Sequence, residues 1–269
     1  MKTLYLDCFS GISGNMFVGM LIQAGVPFDA FKQAMESLQL QGYSLICKPI
    51  SKMGIQATYY NVLLDNEKNH HEIHHDAHAH KGHEHLVDTT GHHHHHEHRG
   101  LSEIIKIIEA APFKDNIKEK SLQVFQNLAQ AEAHVHGVPV ETIHFHEVGA
   151  IDCILDIVGT IWALDYLGIE QIASSTLHVG SGFVKCAHGV MPVPAPATAE
   201  LLAGIPYYTT DVWGELVTPT GAALVKTLAS YVGPRPDTFI HDRVVYGAGT
   251  KDLEIPNVVR GFLGEADKW

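Results

Sequence analysis

The chain has 269 residues, 45% of them apolar, which is enough for one large or two modest domains with a buried core. Its formal net charge is −12 at pH 7 with the histidines counted as neutral, and this excess of acid argues against broad nucleic-acid binding. The four cysteines are widely spaced and form no Cys-x-x-Cys pair, so we expect no disulfide framework, and a reducing cytoplasm fits best.

The chain opens with the pattern of a strand, a glycine-rich turn and a helix. A buried strand is predicted over residues 3–9 and a helix over about residues 15–24. Turns of this kind present backbone N–H groups to anions in α/β proteins, although a tight turn without a ligand fits the spacing equally well. Asp7 lies at the carboxyl end of the strand, where ligands bind in such folds. The polar and glycine residues of the turn are Ser10, Gly11, Ser13 and Gly14.

The next predicted elements are an amphipathic helix over residues 29–40 and two strands over residues 43–48 and 55–64. Residues 66–99 then hold 14 of the 21 histidines and almost no large apolar residue. Such a segment cannot bury enough surface to offset its chain entropy, which predicts a disordered insertion. Neutral imidazoles suit nickel, zinc and copper, and the densest run is His92, His93, His94, His95 and His96. The alternative is a solvated low-complexity loop without a selected role.

Two helices are predicted after the insertion. Ser102 is the expected N-cap of a helix over residues 103–110. A longer helix over about residues 115–134 should end near Gly137, because glycine is the common helix stop.

The stretch from His144 to Asp156 carries the densest chemistry. His144 and His146 would share one face of an extended segment. A strongly apolar helix follows to about residue 167, on which Asp152 and Asp156 share a face, with Glu147 at the corner. Carboxylates on so apolar a helix are costly unless paired or bound to a metal, so a divalent cation is the simplest partner. The alternative is structural: dipole complementation, a capped turn and a hydrogen-bonded core histidine. Because this helix carries acidic residues, we expect it to be buried and not to span a membrane.

Beyond residue 168 the pattern becomes rich in short strands, expected over residues 176–179, 182–187 and 206–209, with a helix over residues 197–202. Thr218 as N-cap and Pro219 at the first helical position predict a helix to about residue 229. Its N–H groups with the Thr218 and Thr220 hydroxyls could hold a phosphate, although plain capping explains them too. Two last strands are expected over residues 243–247 and 258–263. The whole predicts a mixed α/β core, residues 1–269, from which the insertion extends.

Five segments resemble one known family. They are Asp7-Cys-Phe-Ser-Gly-Ile-Ser-Gly, His144-Phe-His-Glu-Val-Gly-Ala-Ile-Asp, Gly182-Phe-Val-Lys-Cys-Ala-His-Gly-Val-Met-Pro-Val-Pro-Ala-Pro-Ala-Thr, Glu215-Leu-Val-Thr-Pro-Thr-Gly-Ala-Ala and Gly247-Ala-Gly-Thr-Lys-Asp. In this order they resemble the nickel-insertion proteins of the LarC family.

The resemblance implies a reaction. Family members insert Ni²⁺ into pyridinium-3,5-bisthiocarboxylic acid mononucleotide and form two Ni–S bonds and one Ni–C bond, a lyase-type nickel chelatase activity accompanied by CTP hydrolysis. The product is the cofactor of lactate racemase, the expected recipient. CTP would act with Mg²⁺ or Mn²⁺ through a C-terminal region, because many members continue beyond the point where this chain stops at Trp269. A C-terminal companion polypeptide and a homo-oligomer are therefore expected, with neither nucleic acid nor membrane as a partner.

The resemblance and the spacing together give the candidate residues. The catalytic candidates are Asp7, Glu147, Asp152 and Asp156. The nucleotide-binding candidates are Ser10, Gly11, Ser13, Gly14, His188, Thr218 and Thr220. The nickel-binding candidates are His144, His146, Asp152, Asp156 and the five histidines from His92 to His96. The sequence departs from the family at Asn15, where relatives usually have Asp.

Two other classes of function stay open. A non-catalytic nickel store or metallochaperone would need only the histidine-rich segment. A metal-dependent hydrolase would use the carboxylate–histidine corner to activate water.

Overall fold

The computed structural model describes residues 1–65, 99–143, 145, 150–186 and 189–269. The predicted insertion lies outside the described residues except for Arg99. That arginine is buried, and its carbonyl oxygen accepts a hydrogen bond from the backbone N–H of Phe145 (3.4 Å).

The described chain alternates helices with strands of very different lengths. The helices are α1 (Gly14–Gln23), α2 (Phe28–Glu36), α3 (Leu101–Ala110), α4 (Asp115–His136), α5 (Ile151–Leu167), α6 (Pro196–Leu201) and α7 (Pro219–Leu228), with a 3₁₀ turn at Val140–Thr142. The strands are β1 (Lys2–Asp7), β2 (Tyr43–Lys52), β3 (Ile55–Leu64), β4 (Gln171–Ser174), β5 (Leu177–His178), β6 (Gly180–Ser181), β7 (Phe183–Cys186), β8 (Gly189–Pro192), β9 (Tyr207–Tyr208), β10 (Gly214–Glu215), β11 (Tyr231–Val232), β12 (Ile240–Ala248) and β13 (Val258–Glu265).

Seven strands form one mixed sheet in the order β11-β4-β1-β13-β12-β3-β2. The first strand lies near its centre, parallel to β4 and antiparallel to β13. Alternate side chains of a strand point to opposite faces. Leu4 and Leu6 therefore join the main core beneath the helices, whereas Tyr5 packs on the other face beside its cross-strand partner Phe262. This confirms the expected α/β fold.

The apolar helix α5 is central to the helical layer, where it packs against α1, α2 and α4. A side-chain carbon at Gly159 would lie 2.6 Å from the ring of Phe31, so glycine allows α2 to approach closely. Both long helices end at glycines in the left-handed conformation, Gly137 and Gly168, each with φ of 64°. The glycine stop predicted for α4 is confirmed.

One local prediction was wrong, and one strand was not predicted. Ser102 does not cap α3: the helix begins at Leu101 with Gly100 as N-cap and without a side-chain cap. The buried strand β4 was not anticipated, because Gln171-Ile-Ala-Ser is short and has no strand alternation. It is a strand because β1 and β11 pair with it on both sides.

Among the described helices, none is long and apolar enough to cross a membrane.

Candidate functional site: an acidic pocket between two helix starts

Two predicted anion-binding turns lie against each other. The backbone N–H of Ile12, in the glycine-rich turn, donates to the carbonyl of Leu216 (3.0 Å), and the N–H of Thr218 donates to the carbonyl of Ile12 (3.2 Å). The Thr218 hydroxyl accepts from the N–H of Gly221 (3.1 Å), which confirms it as the N-cap of α7. The starts of α1 and α7 are thereby fixed side by side.

Glycine makes this close approach possible. A side-chain carbon at Gly221 would lie 2.2 Å from the carbonyl oxygen of Ile12, and one at Gly11 would lie 2.0 Å from that of Leu216. Real carbon atoms do not come so close to backbone oxygens. Gly11 also has a φ of 75°, a conformation that other residues rarely adopt. Gly11, which was predicted to bind the nucleotide, and Gly221 therefore allow the two turns to pack together.

The acidic face of α5 closes the space between the turns. Asp152 and Asp156, four residues apart on the helix, line a pocket of about 240 Å³. This acidic pocket is also lined by Ser13, Gly14, Asn15, Cys153, Glu215, Thr218, Pro219 and Thr220. Three of its side chains are carboxylates and, within the described parts of the chain, none that lines it is basic. Its electrostatic field therefore favours a cation over a bare anion.

Asp156 is the most unusual group of the pocket. Its Oδ1 atom is buried and has no hydrogen-bond partner among the described residues. Burial raises the pKa of Asp156 well above its ordinary value, and the neighbouring charge of Asp152 raises this pKa further. Leaving a buried carboxyl atom without a partner costs about 1–3 kcal/mol, more if it is charged. A cation at Asp156 would reverse both effects, because it favours the ionised carboxylate.

Three neighbours of these carboxylates were not among the predicted site residues. Cys153 is almost fully buried, with its sulfur 3.3 Å from the Thr220 hydroxyl. Burial raises the pKa of this thiol well above its ordinary value, and the charges of Asp152 and Asp156 raise it further. Glu215 lines the pocket from β10, and Tyr60 has a buried hydroxyl whose pKa is raised by burial and by the charge of Asp156. The available signals were the position of Cys153 beside Asp152 and that of Glu215 at the start of one of the five segments that resemble the family.

Asp7 has a different environment. Its Oδ2 accepts hydrogen bonds from Nε (3.0 Å) and Nη2 of Arg260, directly across the β1–β13 pair. The guanidinium lies between the rings of Phe9 and Phe262, 5.4 and 5.0 Å from their centroids. Asp7 does not line the acidic pocket, and its charge is already matched by an arginine.

The remaining candidates divide into two groups. Ser10 and Gly11 belong to the glycine-rich turn but do not line the pocket, and the Ser10 hydroxyl is buried without a partner among the described residues. The second group lies outside the described residues: Glu147, His188, His144, His146, His92, His93, His94, His95 and His96. Phe145, between two of these histidines, is buried. Of the residues that the structure describes, no three His, Cys, Asp or Glu side chains are placed to hold one metal ion.

The fold and the pocket define a class: an α/β protein with an acidic pocket that suits a cation, built where two helix N-termini meet. Comparison with known proteins gives the family. The family described as "Nickel insertion protein" matches residues 4–269, and the chain belongs to it.

Several curated relatives are similar over nearly the whole chain. Proteins named "Pyridinium-3,5-bisthiocarboxylic acid mononucleotide nickel insertion protein" from Desulfitobacterium hafniense (strain DSM 10664 / DCB-2), Geobacillus kaustophilus (strain HTA426) and Thermotoga sp. (strain RQ2) are 46%, 44% and 45% identical to it. Each alignment covers 98% of this chain but only 59%, 60% and 61% of the relative. The chain thus spans about three fifths of the length of these relatives. No solved structure matches it.

Proposed function

We propose that this chain carries the nickel-holding part of a nickel insertion reaction on pyridinium-3,5-bisthiocarboxylic acid mononucleotide. The observation that carries the proposal is the acidic pocket with Asp156, whose buried oxygen lacks a partner among the described residues. The names of the relatives, which are 44–46% identical to this chain, give the identity of the substrate.

Asp152 and Asp156 are the proposed oxygen ligands of the incoming Ni²⁺. They share one face of α5, and burial together with the charge of Asp152 raises the pKa of Asp156, an effect that a bound cation would oppose. His144 and His146 are the proposed nitrogen ligands. Their spacing of two residues would put both imidazoles on one face of an extended segment. Nickel accepts such a mixed nitrogen and oxygen set.

The helix starts are proposed to hold the substrate phosphate at the rim of the pocket. Ser13 and Thr220 line it, and the first N–H groups of a helix have no partners within the helix. In α7, Pro219 has no N–H and that of Gly221 donates to Thr218, which leaves the N–H of Thr220. Because the pocket has three carboxylates, the phosphate would lie at its edge, with nickel deeper inside. Ser10, Gly11, Thr218 and His188 stay predicted nucleotide-binding residues, and Glu147 stays a predicted catalytic residue.

The finer features of the reaction belong to the same proposal. CTP with Mg²⁺ or Mn²⁺ would act through a further region corresponding to the additional length of the relatives, either in the same protein or in a companion polypeptide. The activity would be that of a lyase, the product would pass to lactate racemase, and the protein would be a cytoplasmic homo-oligomer in which residues 1–269 act as one unit.

The experiment is a mass-spectrometric assay of nickel loading. The chain is incubated with the apo-nucleotide and Ni²⁺, with and without CTP and the C-terminal part of a relative. We expect the nickel-containing product only when the chain is present, and turnover only when the C-terminal part and CTP are added. Absence of product in every mixture would contradict the proposal.

The histidine-rich segment favours a second function, nickel storage, because 14 histidines fall within residues 66–99. Storage alone predicts that Ni²⁺ binds this segment with an affinity that falls below about pH 6.5, where imidazoles are protonated. It also predicts that a chain lacking the segment loses all nickel binding. The insertion reaction predicts instead that such a chain keeps one site, in the acidic pocket.

A further inference from the structure

Trp213 is a large aromatic side chain in an unusual position. It is 68% exposed, which makes it one of the most exposed large apolar residues of the described chain. Two other exposed apolar side chains lie nearby on the β7–β8 hairpin, Phe183 (56%) and Val190 (68%). An exposed aromatic group of this kind usually serves an interaction.

The backbone holds the indole firmly. Gly214 pairs with Ser181 and Glu215 pairs with Gly180 in the β6–β10 ladder, and the Ser181 hydroxyl donates to the carbonyl of Val212 (2.8 Å). A side-chain carbon at Gly182 would lie 2.6–2.7 Å from three atoms of the Trp213 ring system. Nearly equal distances to three ring atoms place Gly182 against one face of the indole. The exposed fraction therefore lies largely on the opposite face.

Trp213 is close along the chain to the acidic pocket, and it is not one of the residues that line it. Trp213 precedes the pocket residue Glu215 by two positions, and two residues of extended chain span at most about 7 Å. The indole face is rich in π electrons and attracts cations, and tryptophan is the strongest of the aromatic residues in this respect. The carboxylates of the pocket attract the positive charge of the ring itself, whereas they repel the two thiocarboxylates at its 3 and 5 positions, which leaves those groups to be matched by Ni²⁺. A flat, positively charged ring is the ligand that both features favour.

We propose that the exposed face of Trp213 is the stacking surface for the pyridinium ring of the substrate. This inference rests on the proposed function for the identity of the ligand, which is an N-ribosylated pyridinium carrying a phosphate. Trp213 would bind the ring and set its orientation toward the carboxylates of α5, while Gly182 keeps the indole from turning away. A pyridinium ring that has been reduced to its neutral dihydro form would bind the same surface less tightly.

The test uses nicotinamide mononucleotide, a pyridinium mononucleotide, as the probe, and titration calorimetry of the full chain without nickel. Trp213→Ala should weaken binding about 5- to 30-fold, and Trp213→Phe should keep most of the affinity. Trp162→Phe is the matched control, because Trp162 of α5 packs against Phe31 of α2 and Tyr166 of α5. The dihydro form of the probe, with a neutral ring, should bind the wild-type chain more weakly and should lose less affinity in Trp213→Ala.

Three results would overturn the inference. The wild-type chain and Trp213→Ala could bind the probe with equal affinity, or the wild-type chain could fail to bind the probe at millimolar concentration. Trp213→Ala could also weaken the binding of both ring forms equally. Analytical ultracentrifugation of the same variants tests the alternative that this surface is an interface between protein molecules. A dimer that dissociates in Trp213→Ala while probe affinity is unchanged would assign this surface to self-association.

The outcomes also separate this inference from the proposed function. Probe binding that does not depend on Trp213, together with normal nickel loading, would remove only the stacking role. Probe binding that depends on Trp213 in a chain that fails to load nickel would leave the stacking role and remove the reaction.

Discussion

Asp7 and Asp156 are two carboxylates next to the same glycine-rich turn, and they have opposite environments. Asp7 has its charge matched by Arg260 on the adjacent strand. Asp156 has a buried oxygen without a partner in the described chain, beside a second carboxylate. The first arrangement is complete within the protein, whereas the second leaves a buried carboxyl oxygen without a partner in the described chain. The comparison separates a carboxylate that holds the fold together from one that is available to a ligand.

The largest expected effect is on nickel loading of the nucleotide. Asp152→Ala should lower loading by at least about 100-fold, because loss of outer-shell partners alone costs metal sites about 10- to 100-fold. Mass spectrometry of the cofactor measures it, and the melting temperature of the same variant shows that the fold is kept. Loading within twofold of wild type would make this carboxylate structural.

Gly14→Ala tests whether the position of Asp156 matters. The added methyl carbon would lie 2.5–2.9 Å from atoms of the Asp156 side chain, while the backbone of Gly14 can accept alanine. Nickel affinity should fall about tenfold, because the whole Asp156 side chain, from its Cβ outward, must move away from the added carbon.

A double variant provides the control for this prediction. In an Asp156→Gly background the same Gly14→Ala change should have almost no further effect, since every clashing atom of the Asp156 side chain is gone. Additive losses in the two single variants would show that the methyl group acts elsewhere.

Asp7→Asn should act on stability. Removing the charge weakens two hydrogen bonds to Arg260 and leaves the guanidinium between its two rings, at a cost of about 1–3 kcal/mol in the free energy of unfolding. Nickel affinity should stay unchanged. Urea denaturation measures the first quantity and calorimetry the second, and a stable variant that has lost nickel binding would reverse the roles of the two carboxylates.

Asp156→Asn should change the stability of the nickel-free protein by an amount that depends on pH. The pKa of Asp156 is raised in the folded state, so the folded protein retains this proton above about pH 4, where the unfolded chain loses it. Stability of the wild-type chain should therefore fall, by at most about 1.4 kcal/mol per pH unit from this group, as pH rises from about 4 to the raised pKa. The Asn variant lacks this fall, and its advantage over wild type should grow across that window. Denaturation curves at a series of pH values without nickel measure the difference; a constant difference would contradict the raised pKa.

The smallest effect is expected at the cap of α7. Thr218→Ala removes the bond to the N–H of Gly221 and should cost about 1 kcal/mol, whereas Thr218→Ser should restore most of it. Thermal unfolding of the two variants measures the cap. An unchanged stability in Thr218→Ala would mean that water replaces the hydroxyl.

Much of this arrangement could be predicted from local sequence signals. Thr218 with Pro219 and the glycines after α4 and α5 are strong signals because one or two residues determine the backbone there. The shared face of Asp152 and Asp156 follows from helical periodicity alone. Local patterns therefore gave both the helix starts and the acidic face between them.

What could not be predicted depends on contacts between distant segments. Arg260 is 253 residues from Asp7, and only the β1–β13 pairing shows that the two side chains meet. Glu215 and Tyr60 reach the site through strand pairing and burial, neither of which has a local signature. The strand β4 exists because its neighbours pair with it, and a four-residue segment has no pattern of its own.

The most direct test of the central claim is a calorimetric titration with Ni²⁺ of a chain that lacks residues 66–98, so that the histidine-rich segment contributes no heat. The chain with an intact pocket should bind one Ni²⁺, the Asp7→Asn variant should bind it equally well, and the Asp156→Asn variant should bind it at least about 100-fold more weakly. Equal nickel binding by the Asp156→Asn variant and the parent would contradict the assignment of the acidic pocket as the nickel site.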